Sequence, residues 1–192
     1  MSNALCAAEL TERGIPHELV ERARGVERPI RFTGPVRGVR YVQTYRTERD
    51  PKAPATVLDC RLALAIDDMS RILSRYGVVE VEYLSMWRPG HRPPGVRHPA
   101  GRAIDVATVK LATGERYSVQ HHFYGRVGAQ TCGVASATPR RPHRGAYFWR
   151  KVVCELDATR AFNLVLTPNY DFGHRDHLHL EVRSNIRWFL TQ

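Results

Sequence analysis

Apolar residues recur at helical spacing in two long stretches of the chain. In residues 58–73 they return every three or four positions, and Gly77 follows as a stop. Residues 147–162 have the same period. We therefore predict an amphipathic helix for each stretch, and a short helix followed by a turn between residues 5 and 24.

Alternating apolar and polar residues predict strands between these helices. Residues 78–84 alternate apolar with acidic side chains, the pattern of a strand with one buried face. The other predictions are extended segments within 29–45, a hairpin of 102–109 and 116–119, and two last strands at 163–167 and 177–182. Together with the helices they predict an α+β fold in which a small central antiparallel sheet is flanked by helices.

Three irregular segments separate these elements, because proline and glycine interrupt both helices and strands. They are residues 47–56, 88–95 and 124–144. A chain of 192 residues suits one hydrophobic core. We expect one domain at 57–192, with residues 1–56 as an N-terminal segment packed on it or leading into it.

The charge of the chain is strongly basic, with 29 Lys and Arg against 19 Asp and Glu, a formal charge of +10. Such an excess favours anionic partners through long-range attraction. Nucleic acid is a weaker candidate than an anionic wall polymer, because no helix-turn-helix or zinc-finger pattern aims the arginines at bases. No apolar stretch is long enough to span a bilayer, so no transmembrane segment is expected.

Two histidine-containing segments could form one metal site. Side chains alternate along a strand, so His177 and His179 project to the same side, and His98 precedes Asp105 where a loop is predicted to enter a strand. Imidazole and carboxylate are ordinary zinc ligands, and a catalytic zinc usually takes three protein groups. His98, Asp105 and one of His177 or His179 would complete such a set. The alternative is a pair of neighbouring histidines that meet solvent.

From Val57 onward, these motifs resemble a known family, the bacterial extensin-like C-terminal domain. That family is related to the superfamily of lysostaphin, D-Ala-D-Ala metallopeptidases and hedgehog domains. The matching segments are 57–65, Trp87-Arg88, 98–106, 151–154, 166–170 and the motif His174-x-Asp-His177-x-His179. The histidine spacing is also similar to that of penicillin-insensitive murein endopeptidases. The resemblance implies a hedgehog- or D,D-peptidase-like domain that binds one zinc ion on its sheet.

The resemblance also implies roles for individual residues. His179 would be the third ligand, and His177 would stay unligated as a proton carrier, since imidazole changes charge near neutral pH; the reverse assignment stays open. D-Ala-D-Ala peptidases carry a glutamate base where this chain has Asp176, which is the second candidate base. Arg88 could bind a developing oxyanion or a substrate carboxylate, or be a solvated arginine of its loop. His174 could line the cleft or be a surface histidine.

Four cysteines, none in a Cys-x-x-Cys pair, argue against a thiolate zinc site and are compatible with two disulfides. Three connectivities are possible, and we predict Cys132 with Cys154 and Cys6 with Cys60. The alternative is four buried free thiols. Disulfides persist in exported proteins, so we expect a periplasmic or extracellular protein whose signal peptide is not part of this sequence.

Our leading functional hypothesis is a zinc metallopeptidase of the bacterial envelope, a hydrolase that cleaves peptide bonds of peptidoglycan. The rival is a non-catalytic, zinc-containing module that binds or supports the cell wall, as hedgehog domains resemble peptidases yet act as binding partners. A third possibility is a metal-free binder of carbohydrate or nucleic acid that uses the +10 charge. The expected partner is peptidoglycan or another anionic wall polymer, without specific nucleic acid, and the protein is expected to be a monomer.

Overall fold

The fold is taken from a computed structural model, which describes residues 3–44, 53–90, 97–183 and 186–192. The helices are α1 (Asn3–Glu12), α2 (Cys60–Arg75), α3 (Val119–His122) and α4 (Arg144–Thr159). The strands are β1 (His17–Leu19), β2 (Pro29–Phe32), β3 (Arg40–Gln43), β4 (Leu58–Asp59), β5 (Val78–Tyr83), β6 (Ala103–Leu111), β7 (Arg116–Ser118), β8 (Leu164–Leu166), β9 (Leu178–Glu181) and β10 (Leu190–Thr191). The predicted α+β class is confirmed.

The larger sheet has seven strands in the order β10-β8-β9-β6-β5-β3, and β7 also pairs with β6. Its central pairs are antiparallel, but β3 is parallel to β5 and β10 is parallel to β8. The expectation of a purely antiparallel sheet is therefore wrong at both edges. The chain passes through α2 between β3 and β5, and a crossover of that length allows parallel pairing.

The residues before position 57 contribute to both sheets. β1, β2 and β4 form a separate three-stranded antiparallel sheet, while β3 is an edge strand of the larger one. α1 packs on α2, and the predicted disulfide between Cys6 and Cys60 joins the two helices. The N-terminal segment is thereby tied covalently to the first residue of α2.

Local signals explain most element boundaries. The apolar period predicts α2 to within two residues at each end. α4 begins three residues earlier than expected, because the His143 side chain accepts a hydrogen bond from the Gly145 amide and caps the helix. The predicted loop at 124–144 contains no helix or strand before Arg144, and the disulfide between Cys132 and Cys154 ties it to α4. Most of the predicted loops at 47–56 and 88–95 lies outside the described residues.

The hydrophobic core lies between the larger sheet and the helices. α2 contributes Leu62, Ile66 and Met69, and α4 contributes Trp149 and Leu156, all of them fully or almost fully buried. Burial of each such side chain stabilises the fold by roughly 1.5–3 kcal/mol. Within the part of the chain that the structure describes, no helix has both the length and the apolar character that a membrane span requires.

A tight turn ahead of β6 fixes where the site begins. The 3-10 turn His98–Ala100 ends at Gly101, whose φ is +63°. Gly101 accepts a hydrogen bond of 2.7 Å from the Asp59 amide. A Cβ atom at this position would lie 2.8 Å from that same amide nitrogen. Glycine therefore satisfies both the left-handed backbone and the close approach of β4.

Candidate metal centre

The centre of the candidate site is Asp105, a fully buried carboxylate on β6. The register of β6 and β9 places Asp105 directly opposite His179. Residues paired in this way project from the same face of a sheet, and Nδ1 of His179 lies 2.9 Å from Oδ1 of Asp105. The strand pairing alone therefore brings these two side chains together across 74 residues of sequence.

His98 reaches the same carboxylate oxygen from the turn that precedes β6. Its Nε2 lies 3.1 Å from Oδ1 of Asp105. Its Nδ1 lies 3.1 Å from the carbonyl oxygen of Met86. A carbonyl only accepts hydrogen bonds, so Nδ1 carries a proton and Nε2 is the nitrogen directed at the cluster.

His98, Asp105 and His179 form a group that could hold a metal ion, here called the His–Asp–His cluster. One ligand atom from each residue lies within 4.8 Å of the others. Burial by itself raises the pKa of Asp105, but hydrogen bonds from His179 and His98 outweigh it and hold that pKa well below its usual range. Burial likewise lowers the pKa of His179, but the contacts with Asp105 and Glu181 outweigh it and raise this pKa to about 9. The buried carboxylate thus attracts positive charge, which a bound cation also supplies.

A second buried carboxylate, Glu181, holds the far side of the His179 ring. Its Oε2 lies 3.3 Å from Nε2 of His179. Arg183 and Arg97 both contact Oε1 of the same carboxylate. Carboxylates in this position fix the orientation of a ligating histidine and raise its basicity. We did not predict Glu181, although its place two residues after His179 puts it on the same face of β9.

His177 lies immediately before β9 and faces the cluster without joining its closest contacts. Its Nε2 is 3.6 Å from Oδ1 of Asp105. Its Nδ1 is 2.8 Å from Oδ1 of Asp176, the second candidate base. Asp176 therefore contacts the ring nitrogen of His177 that points away from the cluster.

Arg88 and Ser85 contact the other carboxylate oxygen of Asp105, Oδ2. A guanidinium nitrogen of Arg88 donates to Oδ2, and Arg88 Nε donates to Ser85 Oγ at 2.7 Å. Ser85 Oγ lies 3.3 Å from the same carboxylate oxygen. The Arg88 side chain is about half exposed, at 46%. Arg88 thus lies at the solvent edge of the cluster, and Ser85 is a contact of Asp105 that the sequence motifs did not indicate.

His174 forms the rim of the site. Its ring lies 5.2 Å from that of His177 and 5.9 Å from that of His179. Its Nδ1 lies 2.7 Å from Oδ1 of Asp171. Burial alone raises the pKa of Asp171, but the hydrogen bonds from His174 outweigh it and lower that pKa. The six other residues that we assigned to the site therefore surround Asp105 or lie one ring away from it.

The family model for the extensin-like protein C-terminus matches residues 91–190, more than half of the chain. The chain belongs to this family. The resemblance to the extensin-like domain is thereby confirmed over these residues, and the matched region contains the whole His–Asp–His cluster as well as Glu181. Arg88 and Ser85 precede the matched region. No curated protein matches the chain.

Proposed function

We propose that this extensin-like protein is a zinc-dependent peptidase that hydrolyses peptide bonds of peptidoglycan in the bacterial envelope. The observation that carries the proposal is the His–Asp–His cluster, whose three ligand atoms lie within 4.8 Å of one another. Two imidazoles and one carboxylate are a zinc ligand set that leaves a coordination position open for catalysis. The proposal includes kinship with the lysostaphin, D-Ala-D-Ala peptidase and hedgehog superfamily, and a fold of that type.

In this proposal each residue of the site has a distinct task. His98, Asp105 and His179 would hold the ion. A zinc ion polarises a carbonyl group and lowers the pKa of water towards neutrality. His177 accepts a proton and returns it to the leaving amine, because its Nε2 faces the cluster and imidazole changes charge near neutral pH. Asp176 holds Nδ1 of His177 and so keeps that ring in place.

Arg88 would stabilise the developing negative charge of the reaction. Its guanidinium group lies at the solvent edge of the cluster and is about half exposed, so a substrate can approach it. A positioned cation next to a developing oxyanion is among the strongest electrostatic contributions to catalysis. His174 would line the cleft on the chain segment that also carries His177, and its ring lies beside the His177 ring.

Export to an oxidising compartment is part of the same proposal. The structure contains two disulfides, and the described cysteines include no free thiol. Disulfides form and persist in the periplasm and outside the cell, where peptidoglycan is accessible. The excess of basic residues would favour adsorption to an anionic wall.

A second candidate function is a zinc-containing wall-binding module without turnover. The observation that favours it is the engagement of Arg88, which donates to Asp105 and Ser85 and so serves the internal network of the cluster. In that case the ion would support the fold, as structural zinc does in many small domains. Wall binding without cleavage is the property that separates this candidate from the peptidase.

Digestion of purified peptidoglycan tests the peptidase proposal. The zinc-loaded protein, with one zinc per chain by elemental analysis, is compared with the same protein after chelation, and the released fragments are identified by mass. The proposal expects new amino and carboxyl termini only with the zinc-loaded protein. Intact peptidoglycan across a broad pH range, with one zinc bound per chain, would reject the peptidase in favour of the binding module.

A further inference from the structure

A basic groove adjoins the candidate metal centre. Two cavities of about 580 and 590 Å³ share Tyr124, Arg126 and Arg140 in their walls and therefore lie side by side. The first cavity adds Arg141 and Arg175, and the second adds Arg150. We call this feature the arginine groove, defined by Arg126, Arg140, Arg141, Arg150 and Arg175.

The groove arginines lack the acidic partners that other arginines of this protein have. In the part of the chain that the structure describes, none of the five forms an ion pair with a carboxylate. Arg13, Arg37 and Arg75, in contrast, each pair with an aspartate or glutamate. Among the described residues, Asp171 is the only acidic one that lines the two cavities, and its Oδ1 lies 2.7 Å from Nδ1 of His174. The groove thus concentrates positive charge that the described residues do not neutralise.

Arg150 shows that this charge is costly to the folded protein. Its side chain is half buried over the Phe123 ring, 4.3 Å from the ring centroid. Its Nε is buried and has no hydrogen-bond partner among the described residues. Burial lowers the pKa of Arg150, and no acidic group offsets that effect. Burying an unpaired charge or donor is unfavourable unless a partner satisfies it, so the groove has the properties of a site for an anion.

The groove reaches the His–Asp–His cluster through one short chain segment. Asp171 lines the groove and binds His174, whose ring lies 5.2 Å from His177. Arg175 is adjacent in sequence to Asp176, which holds His177. The wall of the groove and the rim of the cluster thus share the segment 171–176.

We propose that the arginine groove binds free carboxylates of peptidoglycan stem peptides and so holds the substrate whose peptide bond lies at the cluster. This inference rests on the proposed function, because it places the scissile bond next to His177. Stem peptides carry several free carboxylates close to their amide bonds. The planar guanidinium fork matches a carboxylate with two parallel hydrogen bonds, and five such groups line the groove beside the segment that carries His174 and His177.

Binding to peptidoglycan of defined charge tests this inference. Zinc-loaded protein is sedimented with peptidoglycan that has been freed of phosphate polymers, either native or with its carboxylates converted to amides. The groove variant is Arg126→Gln/Arg140→Gln, since both arginines line both cavities. The matched control is Arg22→Gln/Arg24→Gln, which removes the same charge from exposed residues outside the groove. Unfolding midpoint and zinc content are measured for each protein to verify that the fold is retained.

The inference predicts that the groove variant binds native peptidoglycan about tenfold or more weakly than the wild type, since charge-assisted hydrogen bonds are stronger than neutral ones. The control should stay within about twofold of the wild type, and amidation should weaken the wild type to the level of the groove variant. Equal losses in both double variants would overturn the inference, because affinity would then follow net charge alone. Undiminished binding to amidated peptidoglycan would also overturn it, as would binding that requires the phosphate polymers.

Cleavage is measured separately, so that the groove and the peptidase can fail independently. If the wild type cleaves peptidoglycan and the groove variant binds it as tightly as the wild type, only the groove assignment is rejected. If no protein cleaves but binding depends on the groove arginines and on the carboxylates, the peptidase proposal is rejected and the groove is supported.

Discussion

At the residue scale, the site depends on which side chains contact each of the two carboxylate oxygens of Asp105. Oδ1 faces His98 and His179, while Oδ2 accepts from Arg88 and lies within reach of Ser85. A fully buried carboxylate is stable only when such partners replace its hydration. Arg88 and Ser85 therefore hold the carboxylate while Oδ1 stays directed at the histidines, which is the orientation that a metal ligand requires.

Glu181 provides the sharpest residue-level prediction. We expect Glu181→Gln to lower the zinc affinity by roughly 10- to 100-fold, because loss of the carboxylate behind a ligating histidine reduces both its orientation and its basicity. Competition with a chelator measures the change. Glu115→Gln is the control, since Glu115 is exposed on the hairpin of β6 and β7. Equal zinc affinity in the two variants would show that Glu181 does not support His179.

The ligand candidates could be predicted from sequence, whereas their supports could not. Alternation along a strand puts His177 and His179 on one side, and that rule needs no tertiary structure. The contacts of Asp105 with Ser85 and Arg88 depend on how the chain after β5 folds against β6, which no local period encodes. Glu181 obeys the same alternation as the histidines, but a charged residue near the end of a strand is usually solvent-exposed.

At the element scale, periodicity specified the helices and strands but not the direction of pairing. The spacing of apolar residues predicts α2 and β5 because each buries one face. The same pattern is compatible with parallel or antiparallel neighbours, so the parallel edges of the larger sheet were missed. The four-residue helix α3 was also missed. It is too short to show an apolar period, and its N-terminus is capped by the Ser118 side chain, which accepts a hydrogen bond from the His121 amide.

The turn at Gly101 allows an element-level test. We expect Gly101→Ala to lower the free energy of unfolding by about 1–3 kcal/mol for the left-handed backbone alone, and by more because the new Cβ would lie 2.8 Å from the Asp59 amide. The control is Gly38→Ala, where φ is +81° but no atom lies within 4 Å of the added Cβ. Urea unfolding compares the two variants. Equal losses would mean that the approach of β4 to this turn is not tight.

At the scale of the whole molecule, two disulfides close loops of different length. Cys6 and Cys60 are 54 residues apart, and Cys132 and Cys154 are 22 apart. Four cysteines allow three connectivities, and the structure confirms the two pairings that we predicted. The first joins the N-terminal segment to α2, while the second joins the long irregular segment at 124–144 to α4.

Removal of each disulfide should destabilise the molecule, and somewhat more for the longer of the two loops. We expect paired Cys→Ala substitutions to cost about 2–4 kcal/mol, with the 54-residue separation costing about 1 kcal/mol more than the 22-residue one. Urea unfolding of the two double variants measures the difference. A larger loss for the shorter loop would contradict the loop-entropy explanation.

At the scale of the whole molecule, the fold is compatible with both proposed functions. The family model covers residues 91–190, but membership does not choose between the two proposed functions, since function depends on the site that a fold carries. The two proposals share the zinc and the wall and differ in proton transfer. His177 is the residue on which they make opposite predictions, because only a peptidase requires it.

The most direct measurement is the rate at which zinc-loaded His177→Ala protein cleaves peptidoglycan, relative to the wild type. We predict nearly unchanged zinc content and a rate lower by on the order of 100- to 10,000-fold, because positioned proton transfer contributes that much. His179→Ala should instead lose the metal, and His121→Ala, an exposed histidine outside the cluster, should behave as the wild type. Full cleavage by zinc-loaded His177→Ala, or loss of zinc from it while His179→Ala retains the ion, would contradict the account.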